Sequence, residues 1–172
     1  MAAQAVKTNV MRILDKKKIS YQPHEYPHGD GAVDGIGVAQ LLGQDPARVF
    51  KTLVTRGASK AYYVFVLPAA AELDLKKAAK AVGEKSVAMI HVSEINSVTG
   101  YILGGCSPIG MKKHYVTTFA AEALGFDTIM VSGGKIGTQV EAAPADIISA
   151  SDGQTADITV RTDQSVDTES IM

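Results

Sequence analysis

The sequence predicts an α/β (α+β) domain, with a central mixed, partly barrel-like β-sheet surrounded by short helices. Three observations carry this. Strand-type apolar runs outnumber the helical stretches. Several follow one another with only a turn between them, which favours antiparallel neighbours. The helical stretches are short, and several stop at a glycine. A chain of 172 residues with 46% hydrophobic side chains suits one domain with an aliphatic core.

The elements follow in order. Val6, Val10, Ile13 and Leu14 recur at helical spacing and predict an amphipathic first helix, ending in Lys16-Lys17-Lys18. Tyr21–Tyr26 reads as extended, and 27–37 as a glycine-rich loop. A short helix carries Val38, Leu41 and Leu42 to a C-terminal Gly43. Val49–Thr55 and Ala61–Leu67 form a hairpin around Arg56–Lys60. Asp74 caps a helix with inner residues Leu75, Ala78, Ala79 and Val82, stopped by Gly83.

Val87–Ile90 is a strand, and Ser93 caps a further helical turn. Tyr101–Leu103 is an apolar strand running into Gly104-Gly105. Further strands are predicted at His114–Thr118, Thr128–Val131, Gln139–Ala142 and Ala156–Val160. Ala120–Leu124 is a short helix, and Pro144 opens a last one through Ile148. The reading is one domain over 1–162 and a polar, acidic tail over 163–172.

Charge and motifs exclude several classes. The net charge of -1 rules out a globally basic nucleic-acid binder. Residues 1–150 nevertheless hold 16 Lys/Arg against 13 Asp/Glu, so the body is mildly basic. The single cysteine, Cys106, allows no intrachain disulfide, and no zinc spacing of Cys and His exists. The expectation is no metal and no cofactor. There is no secretory apolar stretch at the start and no run of ~18 apolar residues. The reading is a cytoplasmic protein with no membrane partner.

Lys51 is the most informative residue. It sits in Val49-Phe50-Lys51-Thr52-Leu53-Val54 and shares a strand face with Val49 and Leu53. A lysine there either meets an anion or lays its stem on apolar surface and carries its head to solvent. Gly104-Gly105 and Gly133-Gly134 each follow an apolar run. They are either ordinary turns or places where main-chain N–H groups approach a ligand. Cys106 has no base nearby in sequence and reads as a structural thiol. The lysine clusters read as solvated faces that could also follow an RNA backbone.

Taken jointly and in order, Phe50-Lys51-Thr52-Leu53, Leu75-Lys76-Lys77-Ala78-Ala79, Gly100–Pro108 and Val131-Ser132-Gly133-Gly134-Lys135 resemble the YbaK/EbsC family. That family is similar to the editing domain inserted in bacterial prolyl-tRNA synthetases. The resemblance covers about residues 8–160. It implies a YbaK-like fold and release of a mischarged amino acid, expected to be cysteine on tRNA(Pro), acting beside prolyl-tRNA synthetase.

By position, the resemblance makes Lys51, Gly104 and Gly105 catalytic. It makes Tyr26, Thr52, Ser132, Gly133 and Gly134 substrate-binding. The family mechanism it implies is substrate-assisted, with the cysteinyl thiol attacking its own ester. Two alternatives stay open: a deacylase for alanine or another small residue, and a non-catalytic module that binds tRNA or a synthetase.

Overall fold

A computed structural model describes residues 7–29 and 31–161. Val6 and the predicted tail lie outside the described residues. Helix α1 is Asn9–Lys16, and the Thr8 hydroxyl caps it by accepting from the Met11 N–H at 3.2 Å. Val10 and Leu14 are fully buried, as the spacing predicts, and Met11 joins them.

Strand β1, Gln22–Glu25, leads through the glycine-rich stretch to α2, Gly35–Leu42. The last residues of that stretch are not loop. Asp34 accepts from the Gly37 N–H at 2.7 Å and starts the helix, which ends at Gly43 with φ +66°.

Strands β2 (Phe50–Gly57) and β3 (Tyr62–Pro68) form the predicted antiparallel hairpin, with Lys51 opposite Leu67. Helix α3, Leu75–Val82, has the predicted cap. Asp74 accepts from the Lys76 and Lys77 N–H groups, and Gly83 closes the far end. Strand β4 (Val87–Met89) pairs antiparallel with β2, and β5 (Val116–Ala120) pairs parallel with β3.

Strands β6 (Ile129–Ser132) and β7 (Thr138–Ala142) are antiparallel, with β1 on the other side of β7. Helix α5, Pro144–Ala150, carries its proline in the first turn, and β8 (Gln154–Ala156) pairs parallel with β5. The result is a five-stranded sheet, β4-β2-β3-β5-β8, and a three-stranded sheet, β1-β7-β6.

The two sheets join through the residues just before β2. The Met130 N–H donates to the Arg48 carbonyl at 2.9 Å, and the Ala69 N–H to the Val49 carbonyl at 2.7 Å. A parallel bridge pairs Val49 with Met130. Sheet therefore continues from β6 to β2 and curls partway toward a barrel.

The main core holds Phe65, Phe119, Leu67, Ile109, Ile129 and Ile147, all fully buried. Burial of each contributes about 1.5–3 kcal/mol. A second, smaller cluster sits at the sheet junction: Tyr26, Val38, Ala39, Val49, Ala69 and Met130.

Three local expectations are corrected. The helical turn expected to start at Ser93 opens instead at His91. The His91 N–H donates to the Glu94 carboxylate at 3.0 Å, and a 3₁₀ turn over Val92–Glu94 runs into α4, Ile95–Thr99. The Glu94 carboxylate, three residues on, reaches back to the free N–H of His91 and fixes the start of the turn there, as in a capping box.

Tyr101–Leu103 is not a strand. The Asn96 amide holds the Tyr101 carbonyl, and the Gly105 N–H closes a turn on the Ile102 carbonyl. Finally, Gln154–Ala156 rather than Ala156–Val160 forms the last strand. Ile158 and Val160 instead bond to Asp74 and Glu72, at the entry to α3.

Candidate active site

A cavity of about 460 Å³ opens at the junction of the two sheets. Strand β2 supplies Phe50 to Val54 as one wall, and β6 and β7 supply Ser132 and Gln139. Asp34 and Val38 come from the start of α2, while Leu103, Gly104 and Cys106 come from the glycine turn. Such a volume holds a small-molecule group.

Lys51 projects from β2 into this wall, half-buried. Its Nζ donates to the Ala71 carbonyl at 2.6 Å and the Ala69 carbonyl at 3.2 Å. An ammonium carries three N–H donors, so one is left over. Burial holds its pKa below the usual lysine value, opposed by the negative charges of Glu72 and Asp34. Of the two sequence alternatives, neither is met in full. The head is not carried out to solvent; backbone carbonyls hold it beside the cavity.

The polar atoms of the wall are unusual. Among the described residues, three buried side-chain atoms have no hydrogen-bond partner: Tyr26 Oη, Thr52 Oγ1 and Gln139 Oε1. All three residues line this cavity. Tyr26 is 4% exposed and Gln139 5%. A buried polar group left unpaired costs about 1–3 kcal/mol, and here all three such groups belong to residues of one cavity wall.

The glycine turns pack on each other. A Cβ on Gly105 would lie 2.9 Å from the Lys135 Cα and 3.1 Å from the Ile136 nitrogen. Gly104, at φ +85°, would bring a Cβ to 2.6 Å from that of Ala32. Only glycine permits this approach, which seats the first turn against the second and against the stretch preceding α2.

Of the residues singled out from sequence, Tyr26, Lys51, Thr52, Gly104 and Ser132 line the cavity together. Gly105, Gly133 and Gly134 do not line it. Gly133 approaches Thr138, and Gly134 faces Val10 and Tyr101. The Ser132 hydroxyl accepts from the Gly134 N–H at 3.1 Å and so shapes the second turn.

Cys106 lies in the wall, but burial pushes its thiol up to about 11, partly offset by a hydrogen bond with Thr99. At neutral pH it is a thiol and a poor nucleophile.

Sequence reasoning missed Gln139 and Asp34 as cavity residues. The available signal at Gln139 was a long polar side chain on an apolar strand directly after a glycine turn. At Asp34 it was an N-cap residue hidden in what reads as loop.

Beside the cavity lies a fully paired cluster. Arg48 donates to the Glu141 carboxylate at 2.7 Å, and His24 Nε2 meets its other oxygen at 2.7 Å. The Thr128 hydroxyl also donates to Glu141. Burial alone would raise the Glu141 pKa, but Thr128, His24 and Arg48 together bring it below the usual value.

Comparison with known proteins agrees with this architecture. Residues 36–150 match the profile of the family described as "Aminoacyl-tRNA editing domain". The chain is 46% identical over 155 residues to an Enterococcus faecalis protein provisionally named Cys-tRNA(Pro)/Cys-tRNA(Cys) deacylase EbsC, covering 90% of this chain and 94% of that protein.

In fold it is similar to a crystal structure described provisionally as a trans-editing enzyme for prolyl-tRNA synthetase. The TM-score is 0.75 at 22% identity, covering 90% of this chain and 99% of the other. It is also similar to the hypothetical protein APE2540, with a TM-score of 0.80 at 19% identity, covering 89% and 100%. The resemblance drawn from the ordered motifs therefore holds, and the chain belongs to the aminoacyl-tRNA editing family of YbaK/EbsC-like domains.

Proposed function

We propose that this protein is a trans-acting aminoacyl-tRNA hydrolase that removes cysteine mischarged on tRNA(Pro), working beside prolyl-tRNA synthetase. The observation that supports it most is the cavity itself. A cationic lysine with one free N–H faces a cavity also lined by Tyr26, Thr52, Gly104 and Ser132. Family membership supplies the reaction class.

The chemistry follows from what the cavity wall offers and lacks. Lys51 is held by two carbonyls, and its remaining N–H can bind the terminal phosphate or the ester oxygen. A group fixed in this way orients rather than abstracts protons. The Cys106 thiol is protonated at neutral pH and does not act as nucleophile.

The substrate's own thiol takes that role. Its sulfur attacks the ester carbonyl carbon, the bond to the ribose oxygen breaks, and the thiol proton goes to that oxygen. Water then opens the cyclic thioester to free cysteine, so the net reaction is hydrolysis. Gly104 and Gly105 hold the first turn close to the ester. Tyr26, Thr52 and Ser132 line the space for the aminoacyl group.

The test is to charge tRNA(Pro) with cysteine, alanine or proline and follow deacylation. The expected result is release of cysteine, with Lys51→Ala reducing it by ~100-fold or more and Cys106→Ala leaving it nearly unchanged. Release of none of the three esters rejects the enzyme reading. Release of alanine in preference to cysteine rejects the substrate-thiol mechanism. Equal rates with and without the synthetase would reject its part in selecting the tRNA.

A further inference from the structure

Helix α2 opens on Asp34-Gly35-Ile36-Gly37, with two glycines in its first turn. Glycine is a weak helix former, so its place there needs a reason. At Gly35 the backbone does not supply one, because its φ lies outside the left-handed region. A contact does. A Cβ on Gly35 would fall 2.7 Å from the Ala69 Cβ and 3.5 Å from the Ala69 Cα. That is well inside van der Waals contact, so the helix or Ala69 would have to move.

Ala69 belongs to the turn that holds Lys51. The Ala71 N–H closes this turn on the Pro68 carbonyl at 2.9 Å. The Ala69 N–H ties it to the Val49 carbonyl, and the Val160 N–H ties the next residue, Glu72, at 2.9 Å. The turn is thus pinned at both ends. Between them, the Ala69 and Ala71 carbonyls take two of the three Lys51 N–H groups. The Ala69 methyl, buried in the junction cluster with Val38 and Ala39 of α2, backs onto Gly35. Whatever shifts that methyl shifts the carbonyls, and the ammonium follows them.

We infer that Gly35 is a positioning residue for Lys51: the bare backbone at the start of α2 seats the 68–71 turn, and the seated turn fixes where the remaining Lys51 N–H points in the cavity. Gly35 borders the cavity but has no side chain to offer it, and its role runs through Ala69. The effect on rate rests on the deacylase reading above, whereas the placement of the ammonium does not.

The test reads both. Deacylation of cysteinyl-tRNA(Pro) gives the rate. NMR on protein carrying isotope-labelled lysine gives the Lys51 Cε resonance, identified by its loss in Lys51→Ala. Asp34 and Glu72, the charged groups that act on Lys51, stay unaltered in every variant. Gly35→Ala should move the resonance and lower kcat/KM by ~10–100-fold, the scale of a misplaced catalytic group. The double variant Gly35→Ala with Ala69→Gly carries the methyl across the contact, and should return both readouts toward wild type. Gly43→Ala strains the far end of the same helix, at φ +66° with open space around it, and should lower the melting temperature while leaving the resonance and the rate in place.

If Gly35→Ala folds poorly, Ala69→Gly alone opens the same contact without a clash and should move the resonance by a smaller amount. A resonance that stays in place in both single variants overturns the inference, as does a double variant no closer to wild type than Gly35→Ala. A resonance that moves as far in Gly43→Ala shows a loss of helix stability only and also overturns it. A moved resonance with an unchanged rate, in a protein that hydrolyses the ester, overturns the role in catalysis. Movement and rescue of the resonance in a protein that hydrolyses no ester supports the positioning, and the deacylase reading alone then fails.

Discussion

Gln139 and Glu141 lie two residues apart on one face of β7, and their oxygens meet opposite conditions. Both Glu141 oxygens are paired, one with His24 and the other with Arg48 and Thr128. The Gln139 oxygen, deeper in the fold, has no partner. The two neighbourhoods share strands β1, β6 and β7, so sheet geometry does not explain the contrast. What differs is what lies above each residue. Glu141 meets side chains from β1, from Thr128 just before β6 and from the segment before β2, whereas no donor reaches the Gln139 oxygen. The Glu141 oxygens are completed within the chain, whereas the Gln139 oxygen is left incomplete at a cost in stability.

This contrast can be broken from either side. The largest effect on stability is expected for Glu141→Ala. It leaves His24 and the Thr128 hydroxyl without their carboxylate partner, and Arg48 with only Thr128 to donate to, and should cost about 2–3 kcal/mol in denaturant unfolding. The deacylation rate per folded molecule should change little, because Glu141 does not line the cavity. A large loss of rate in folded protein would erase the distinction between the two regions.

The pH dependence belongs to the same cluster. The folded pKa of Glu141 is depressed, so its contribution is complete above the ordinary glutamate value of 4.5 and is lost as pH falls through the folded value. Wild type should therefore lose more stability than Glu141→Ala below that pH. Unfolding curves taken between neutral and acidic pH would show the two converging.

A smaller effect is expected at the glycine contact. Gly105→Ala places a methyl against the backbone of Lys135 and Ile136 and should cost about 1–3 kcal/mol. It should also reduce deacylation, since Gly104 shifts with its neighbour. An unchanged melting temperature would show that the two turns can separate freely.

The smallest effect on stability is expected at Gln139. Gln139→Met removes a buried acceptor that has no partner, so stability should stay within about 1 kcal/mol of wild type or rise. A loss as large as that of Glu141→Ala would mean that Gln139 holds the fold, and the contrast would fail.

Much of the fold is legible in the sequence because local chemistry decides it. Asp74 and Gly83 bracket α3 at the expected places, and the β2–β3 hairpin follows from two apolar runs around one turn. Failures occur where a side chain acts at short range in a way that composition hides. Glu94 reaches back to His91, and Asn96 bends Tyr101–Leu103 out of a strand. The site was legible in part. Lys51, Thr52, Tyr26, Gly104 and Ser132 converge on one cavity, while three of the glycines serve contacts beside it.

The lysine on its strand, the order of the motifs and the glycine turns are properties of the chain alone, since each rests on residues close in sequence. The sequence by itself determined the family and the residues at which to look. The tertiary structure decided which polar atoms are paired. Arg48, Thr128 and Glu141 are distant in the chain, as are Tyr26, Thr52 and Gln139, and only the joining of the two sheets brings each set together. That joining is long-range packing, which no local pattern encodes. It left one set complete and the other open.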